Sequence, residues 1–199
     1  IVEGYGLSET APIAAANPVH GAKKTNSVGL PVPGTVVKIV EPAATDDTVL
    51  AEPIPGGKEL PLTEGGEICI RGPQVMKGYW KNLQETFRSI DKDGYFHTGD
   101  FGHMDNDGHI HITDRIKDMV IVNGLKVFPR DVEDALLKHP RISEVVVVGT
   151  PDASSGEAVK ALVVLKDNQS LNATEIRELL DKTKELAPYQ MPKHVEFRD

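Results

Sequence analysis

Three short stretches of the chain bring together side chains that could do chemistry. Gly4-Tyr5-Gly6-Leu7-Ser8-Glu9-Thr10 offers an aromatic ring, hydroxyls and a carboxylate within a glycine-flexible turn. Such a set can stack a base, donate to a phosphate oxygen and hold Mg2+ through a hard oxygen. A plain polar turn at the end of a strand is the competing reading. In Asp93-Gly94-Tyr95-Phe96-His97-Thr98-Gly99-Asp100, the closing carboxylate accepts through two oxygens, so Asp100 can take both vicinal hydroxyls of a ribose. The alternative is an aspartate that closes a local turn. Asp114-Arg115-Ile116-Lys117-Asp118 is dense in charge, which suits either a solvated turn or a hinge between two domains.

The elements that position these residues change in kind along the chain. Up to Arg115 the sequence is rich in Gly and Pro and poor in helical periodicity. Val36 to Val40, Glu67 to Arg71 and His109 to Thr113 read as strands between turn signals. Asp93-Gly94 and Asp107-Gly108 each suggest a tight hairpin, residues 42–65 a surface loop, and Asn82 to Ile90 a short helix. Beyond Arg115, Asn123-Gly124 predicts a hairpin between Met119–Val122 and Lys126–Phe128. Pro129 suits the first position of a helix whose inner face is Val132, Ala135, Leu136 and His139, with Pro140 ending it. Ser143–Gly149 and Ala158–Lys166 read as strands. A second helix is expected from Asn172 to about Leu186, with Ile176, Leu179, Leu180 and Thr183 inward and Pro188 as its stop, and His194–Phe197 as a last strand. The expected class is α+β: a β-rich part, residues 1–116, followed by a small α+β domain, residues 117–199.

Composition narrows the function classes. The 199 residues carry a net charge of −8 with 39% hydrophobic and 26% charged residues, an ordinary soluble balance. An acidic surface disfavours nucleic acid as a partner, because phosphate backbones reward basic patches. No apolar run approaches the ~20 residues of a membrane span. Cys69 is the single cysteine and cannot form an internal disulfide, which points to a reducing compartment and a cytoplasmic location. The chain opens Ile1-Val2-Glu3-Gly4 without methionine and reads as part of a longer protein.

Other signals read more simply. His109 and His111, with His97 and His103 nearby, could ligate a metal, but the exposed polar face of a strand accounts for them. Asp105-Asn106-Asp107-Gly108 lacks the spacing and closing Glu of an EF-hand, and a hairpin turn covers it. Cys69, set by alternation opposite Ile68 and Ile70, reads as a quiet strand thiol. Of two glycosylation sequons, at Asn168 and Asn172, the second reads as a helix cap whose box Glu175 closes.

Taken in order, the stretches resemble the adenylate-forming superfamily of acyl-CoA synthetases, peptide-synthetase adenylation domains and beetle luciferases. Gly4–Glu9 resembles its Y-G-x-T-E segment, Thr98-Gly99-Asp100 its T-G-D, and Asp114–Asp118 with Asn123-Gly124 its D-R-x-K-D…G junction. Gly66-Glu67-Ile68-Cys69-Ile70-Arg71-Gly72-Pro73 with Gly78-Tyr79-Trp80 matches a further segment. Gly72–Met76 and Pro192–Asp199 look most like bacterial long-chain fatty-acid:CoA ligases.

The resemblance implies a role for each position. Tyr5 would stack on adenine; Ser8, where the family usually has threonine, would contact the α-phosphate; Glu9 would bind Mg2+. Asp100 would hold the ribose hydroxyls with Arg115 near them, Lys117 would be the hinge, and Gly124 would let the pantetheine arm of CoA pass close to backbone. Residues 1–116 would be the end of the large AMP-binding domain and 117–199 the mobile C-terminal domain. The phosphate loop would lie upstream and the catalytic lysine beyond Asp199, so Lys193 is given no catalytic role and the chain alone is expected to be inactive. The implied parent is an AMP-forming acid–thiol ligase using fatty acid, ATP, Mg2+ and CoA, with room for peripheral membrane association and a homodimer. An adenylating enzyme with another acceptor, a carrier protein or a luciferase-like oxidation, is the alternative; outside enzymes it is a binding module.

Overall fold

The computed structural model describes residues 2–21, 23–42, 49–167 and 169–198, so Asn168 lies outside them. The chain divides into two compact units, Ile1–Ile116 and Lys117–Asp199.

The first unit holds two antiparallel sheets. β1 (Gly4–Gly6), β2 (Ile13–Ala16) and β3 (Leu30–Pro31) form the smaller one. β4 (Val36–Val40), β5 (Gly66–Arg71), β6 (Phe96–Met104) and β7 (Ile110–Arg115) form the larger in sequential order. β-Branched residues dominate β4, and their side chains suit a pleated, half-buried surface. Ala14, Ala15, Ile39, Ile68, Ile70 and Ile110 form the core. Alternation does set Cys69 opposite Ile68 and Ile70, yet all three are fully buried, because both faces of β5 are covered. Asp107-Gly108 turns β6 into β7, with Gly108 at φ +82° and its N–H on Asp105 O at 3.0 Å. Asp93-Gly94 makes a turn but no two-stranded hairpin: it joins α1 (Leu83–Ser89) to β6, and Ile90, the helix C-cap, makes only an isolated bridge with Phe96. In the expected loop, residues 43–48 lie outside the described residues. Its later part returns along β4, where Glu59 bridges Val40 and Leu60 N–H bonds Ile39 O at 2.9 Å.

The second unit is a five-stranded sheet with two helices. β8 (Val120–Val122) and β9 (Leu125–Val127) are a hairpin; β10 (Ile142–Asp152) and β11 (Gly156–Leu165) are another; β12 (His194–Arg198) runs parallel to β11. Asn123 at φ +51° and Gly124 at φ +79° give the β8–β9 turn the doubly left-handed geometry that matches strand twist. α2 (Pro129–Leu137) starts on proline, whose missing N–H costs nothing in the first turn. It buries Val132, Ala135 and Leu136 in a core completed by Val147, Val163, Ile176 and Leu180. α3 (Ala173–Thr183) has its capping box in place: Asn172 Oδ1 accepts from Thr174 and Glu175 N–H, and Glu175 Oε2 accepts from Asn172 N–H. It stops short of Leu186 because Lys184 turns left-handed, φ +51°. Thr183, its last residue, is exposed and not part of the inner face, and Pro188 opens a separate 3-10 turn instead of ending α3. Among the described residues no helix is long and apolar enough to cross a membrane.

Adjacent leucines test the packing of α2. Leu136 is fully buried and Leu137 is 45% exposed. Leu136→Ala should lower stability by about 3 kcal/mol through lost burial and the cavity left behind, whereas Leu137→Ala should stay within about 0.5 kcal/mol. Urea unfolding of the two variants measures this, and equal losses would contradict the assigned face.

Candidate functional site

Three residues singled out by sequence meet in the first unit. Tyr5, on β1 of the small sheet, donates its hydroxyl to Asp100 Oδ2 at 2.6 Å. Asp100, on β6, lies directly across from Arg115 on β7, and the Arg115 Nε is 3.5 Å from Asp100 Oδ1. Asp100 is buried while Arg115 is exposed. Burial, and then the hydrogen bond and charge of Asp100, push the Tyr5 phenol well above its ordinary range, so it remains a donor. β1 approaches β2 so closely that a Cβ on Gly6 would fall 1.6 Å from Pro12 O; only glycine serves there.

The turn after β1 carries Ser8 and Glu9. Ser8–Thr10 is a short 3-10 turn pegged from within by Thr10. The buried Thr10 Oγ1 accepts Leu7 N–H at 2.9 Å and lies within hydrogen-bond reach of the Leu7 and Pro12 carbonyls. That anchor leaves Ser8 exposed. Glu9 is half-buried, its carbonyl taken by Met76 N–H at 2.8 Å and its Oε1 by the Tyr79 hydroxyl at 2.8 Å. Burial and Glu9 push the Tyr79 phenol up to about 12, so it too stays a donor. Lys117 and Gly124 belong to the second unit. Lys117 is exposed on a 3-10 turn, Ile116–Asp118, and Gly124 has open space where a Cβ would project, so its left-handed φ alone already favours glycine.

Asp100 owes its place to a bulge. β5 and β6 pair Glu67 with Phe101 and Cys69 with His97, which leaves Ile68 alone opposite Thr98, Gly99 and Asp100. Thr98 Oγ1 donates to Ile68 O at 2.8 Å and accepts Asp100 N–H at 3.0 Å, and Gly99 takes φ +71°. Glu67 lies against this bulge, with Oε1 on Gly99 N–H at 3.1 Å and Oε2 at 2.9 Å from His97 Nδ1. Burial works against the His97 imidazolium, but Glu67 and then Asp91 outweigh it and raise the ring above its usual pKa. Glu67 and Tyr79 lie within segments the sequence marks as family-like, but no role attaches to them there. The readable signal for Glu67 is an acid at the head of a short apolar strand run; for Tyr79 there is none.

The signals read more simply above also find their places. The donor atoms of Glu67, Cys69 and His97 lie within 4.8 Å of one another. Burial raises the Cys69 thiol far above its ordinary range, so it keeps its proton. His111 stacks on His103 at 4.8 Å and contacts Asp105 at 3.1 Å. His109 is not on an exposed strand face: it precedes β7 and is buried. At the Asp105–Gly108 turn the Lys24 ammonium sits 2.6 Å from Asp105 and 2.5 Å from Asp107, where a bound cation would have to be. Lys193 is ion-paired with Asp152.

Residues 1–80 match the family model for AMP-binding enzymes, and residues 131–199 that for the AMP-binding enzyme C-terminal domain. Along the whole chain it is 43% identical to long-chain-fatty-acid–CoA ligases of Escherichia coli O6:H1 and Bacillus subtilis. It spans 32% and 33% of those relatives, about a third of their length. Among solved structures, ATP-bound MatB from Rhodopseudomonas palustris is similar over the whole chain at 36% identity and a TM-score of 0.87, with 37% of that chain covered. With a stretch of each compact unit matched in order, and relatives aligned from end to end of the sequence, the chain belongs to the AMP-binding enzyme family.

Proposed function

We propose that this chain is the rear part of a fatty-acid:CoA ligase, a protein that activates a fatty acid with ATP as acyl-AMP and passes the acyl group to the thiol of CoA. The observation that carries it is the buried Asp100 carboxylate, held by Tyr5 at 2.6 Å and flanked by Arg115 at 3.5 Å. Each carboxylate oxygen has two acceptor directions, so a carboxylate fixed at one oxygen by Tyr5 retains directions for the vicinal hydroxyls of a ribose. Arg115 adds a cation beside a ligand whose phosphates are anionic. The 43% identity to long-chain-fatty-acid–CoA ligases and the ATP-bound relative support both nucleotide and acyl substrate.

On this reading residues 1–116 end the large AMP-binding domain and residues 117–199 are its mobile C-terminal domain. Tyr5 gives its ring to adenine and Ser8 its hydroxyl to the α-phosphate. Glu9 fits Mg2+ by donor chemistry: it offers hard carboxylate oxygens, and Oε2 has no hydrogen-bond partner among the described residues. The ion, when bound, neutralises charge developing on the phosphates. Asp100 fixes the ribose so that the α-phosphate meets the acyl carboxylate in a productive geometry. Lys117 serves as pivot between the half-reactions, and the Gly124 hairpin lies along the path of the CoA thiol.

Two measurements on the full-length ligase test this. Asp100→Ala should raise KM for ATP roughly tenfold to a hundredfold, the ~1–3 kcal/mol lost when polar partners go unpaired; an unchanged KM in a folded variant would leave Asp100 as a turn residue. Lys117→Pro fixes φ near −65° and restricts Ile116 before it. It should cut thioester formation far more than acyl-adenylate formation, while Lys117→Ala harms neither as much. Equal losses in both half-reactions would remove Lys117 as the hinge.

A further inference from the structure

The bulge that carries Asp100 is not self-supporting. Its extra residues leave the β5–β6 ladder, and a left-handed Gly99 at its apex has a backbone N–H with no strand partner. Glu67 supplies that partner. One carboxylate oxygen holds Gly99 N–H and the other holds His97, the residue just before the bulge, so a single side chain spans the loop. Behind it, the second ring nitrogen of His97 lies 3.5 Å from Asp91 Oδ2. Asp91 is fixed by Lys38 at 3.0 Å and by the N–H groups of Asp93 and Tyr95. Both carboxylates are buried, Glu67 at 8% exposed and Asp91 at 3%, with His97 half-buried between them. Burying carboxylates is costly unless they are paired, and hydrophobic side chains would fill this space more cheaply; what the acid adds is a fixed shape for the bulge.

We propose that Glu67, seated on His97, is a positioning residue for nucleotide binding: it locks the Thr98-Gly99-Asp100 bulge so that the Asp100 carboxylate meets Tyr5 and Arg115, and thereby sets affinity for the ribose diol without touching it. This rests on the reading of Asp100 as ribose acceptor. The bridge needs an acceptor at Gly99 and a hydrogen-bonding group of full length at His97. Glutamine meets both requirements, with its carbonyl on Gly99 N–H and its amide donating to Nδ1 of a neutral ring whose Nε2–H turns to Asp91. Aspartate retains the charge but is a methylene short of spanning the loop.

The test is a double-mutant cycle in the full-length ligase, read as KM for ATP and kcat separately. Glu67→Ala should raise KM for ATP roughly tenfold with kcat little changed, as expected for an interaction made alike in ground and transition states. Glu67→Gln should stay within about threefold, and in an Asp100→Ala background Glu67→Ala should add less than about twofold, because the two act through one contact. Glu67→Asp carries the same cycle should the alanine variant not fold, with melting temperatures recorded for all. A penalty that persists undiminished in the Asp100→Ala background makes Glu67 a general support of the sheet and overturns the proposal, as does an unchanged KM in Glu67→Ala. Asp100→Ala alone reports on the ribose: if that variant leaves KM untouched, the reading of Asp100 falls first and the role of Glu67 falls with it.

Discussion

A carboxylate buried in a β-sheet is stable only if donors meet it there, and Asp100 finds them on two different sheets. The Tyr5 hydroxyl comes from the small sheet and the Arg115 guanidinium from the neighbouring strand of the large one. This requirement explains several otherwise separate features of the first unit. β1 has to run tight against the Pro12 backbone, hence Gly6. β6 has to leave its ladder for a few residues, hence the left-handed Gly99 and the Thr98 hydroxyl that stands in for the missing backbone bonds. The polar interior around Glu67, His97 and Asp91 is the consequence of building a bulge where an ordinary sheet would be apolar.

The second unit answers to a different constraint. Its strands and helices are held by aliphatic packing, with Val120, Val127, Val132, Leu136, Val163 and Ile176 almost wholly buried. Its polar devices lie at element ends: the Asn123-Gly124 turn, the Asn172–Glu175 box and the left-handed Lys184. Packing and capping of this kind are what a domain proposed to swing as a body would need.

Most of this fold is legible in the sequence wherever the signal is local. Val36–Val40, the short helix near Asn82–Ile90, the turn at Asn123-Gly124, Pro129 as a helix start and the box at Asn172 all depend on neighbours within a few residues, and all are present. What local pattern misses depends on distant partners. The end of α3 was legible only as a proline; the chain leaves the helix earlier, at a left-handed Lys184, and Leu186 packs against the core. Asp93-Gly94 has hairpin chemistry, but the residues before it belong to a helix. His109 looks like an exposed strand residue, yet it stands just before β7 and is buried. In the candidate site, the residue types at Tyr5, Asp100 and Arg115 could be singled out one by one, and only the family resemblance, by setting all three around one nucleotide, implied that they meet. A link across 95 residues such as Tyr5–Asp100 leaves no trace in spacing. Glu67 stood out only as the head of a strand in a family-like segment; the reason for an acid there lies on the strand opposite.

The central claim is that Asp100, held in place by Tyr5 and Arg115, accepts the ribose hydroxyls of a nucleotide. Calorimetric titration of the full-length ligase with ATP and with 2′,3′-dideoxy-ATP tests it without altering the protein. Loss of both hydroxyls leaves a buried acceptor unsatisfied, so the dideoxy nucleotide should bind roughly tenfold to a hundredfold more weakly. Equal affinity for the two nucleotides would contradict the account.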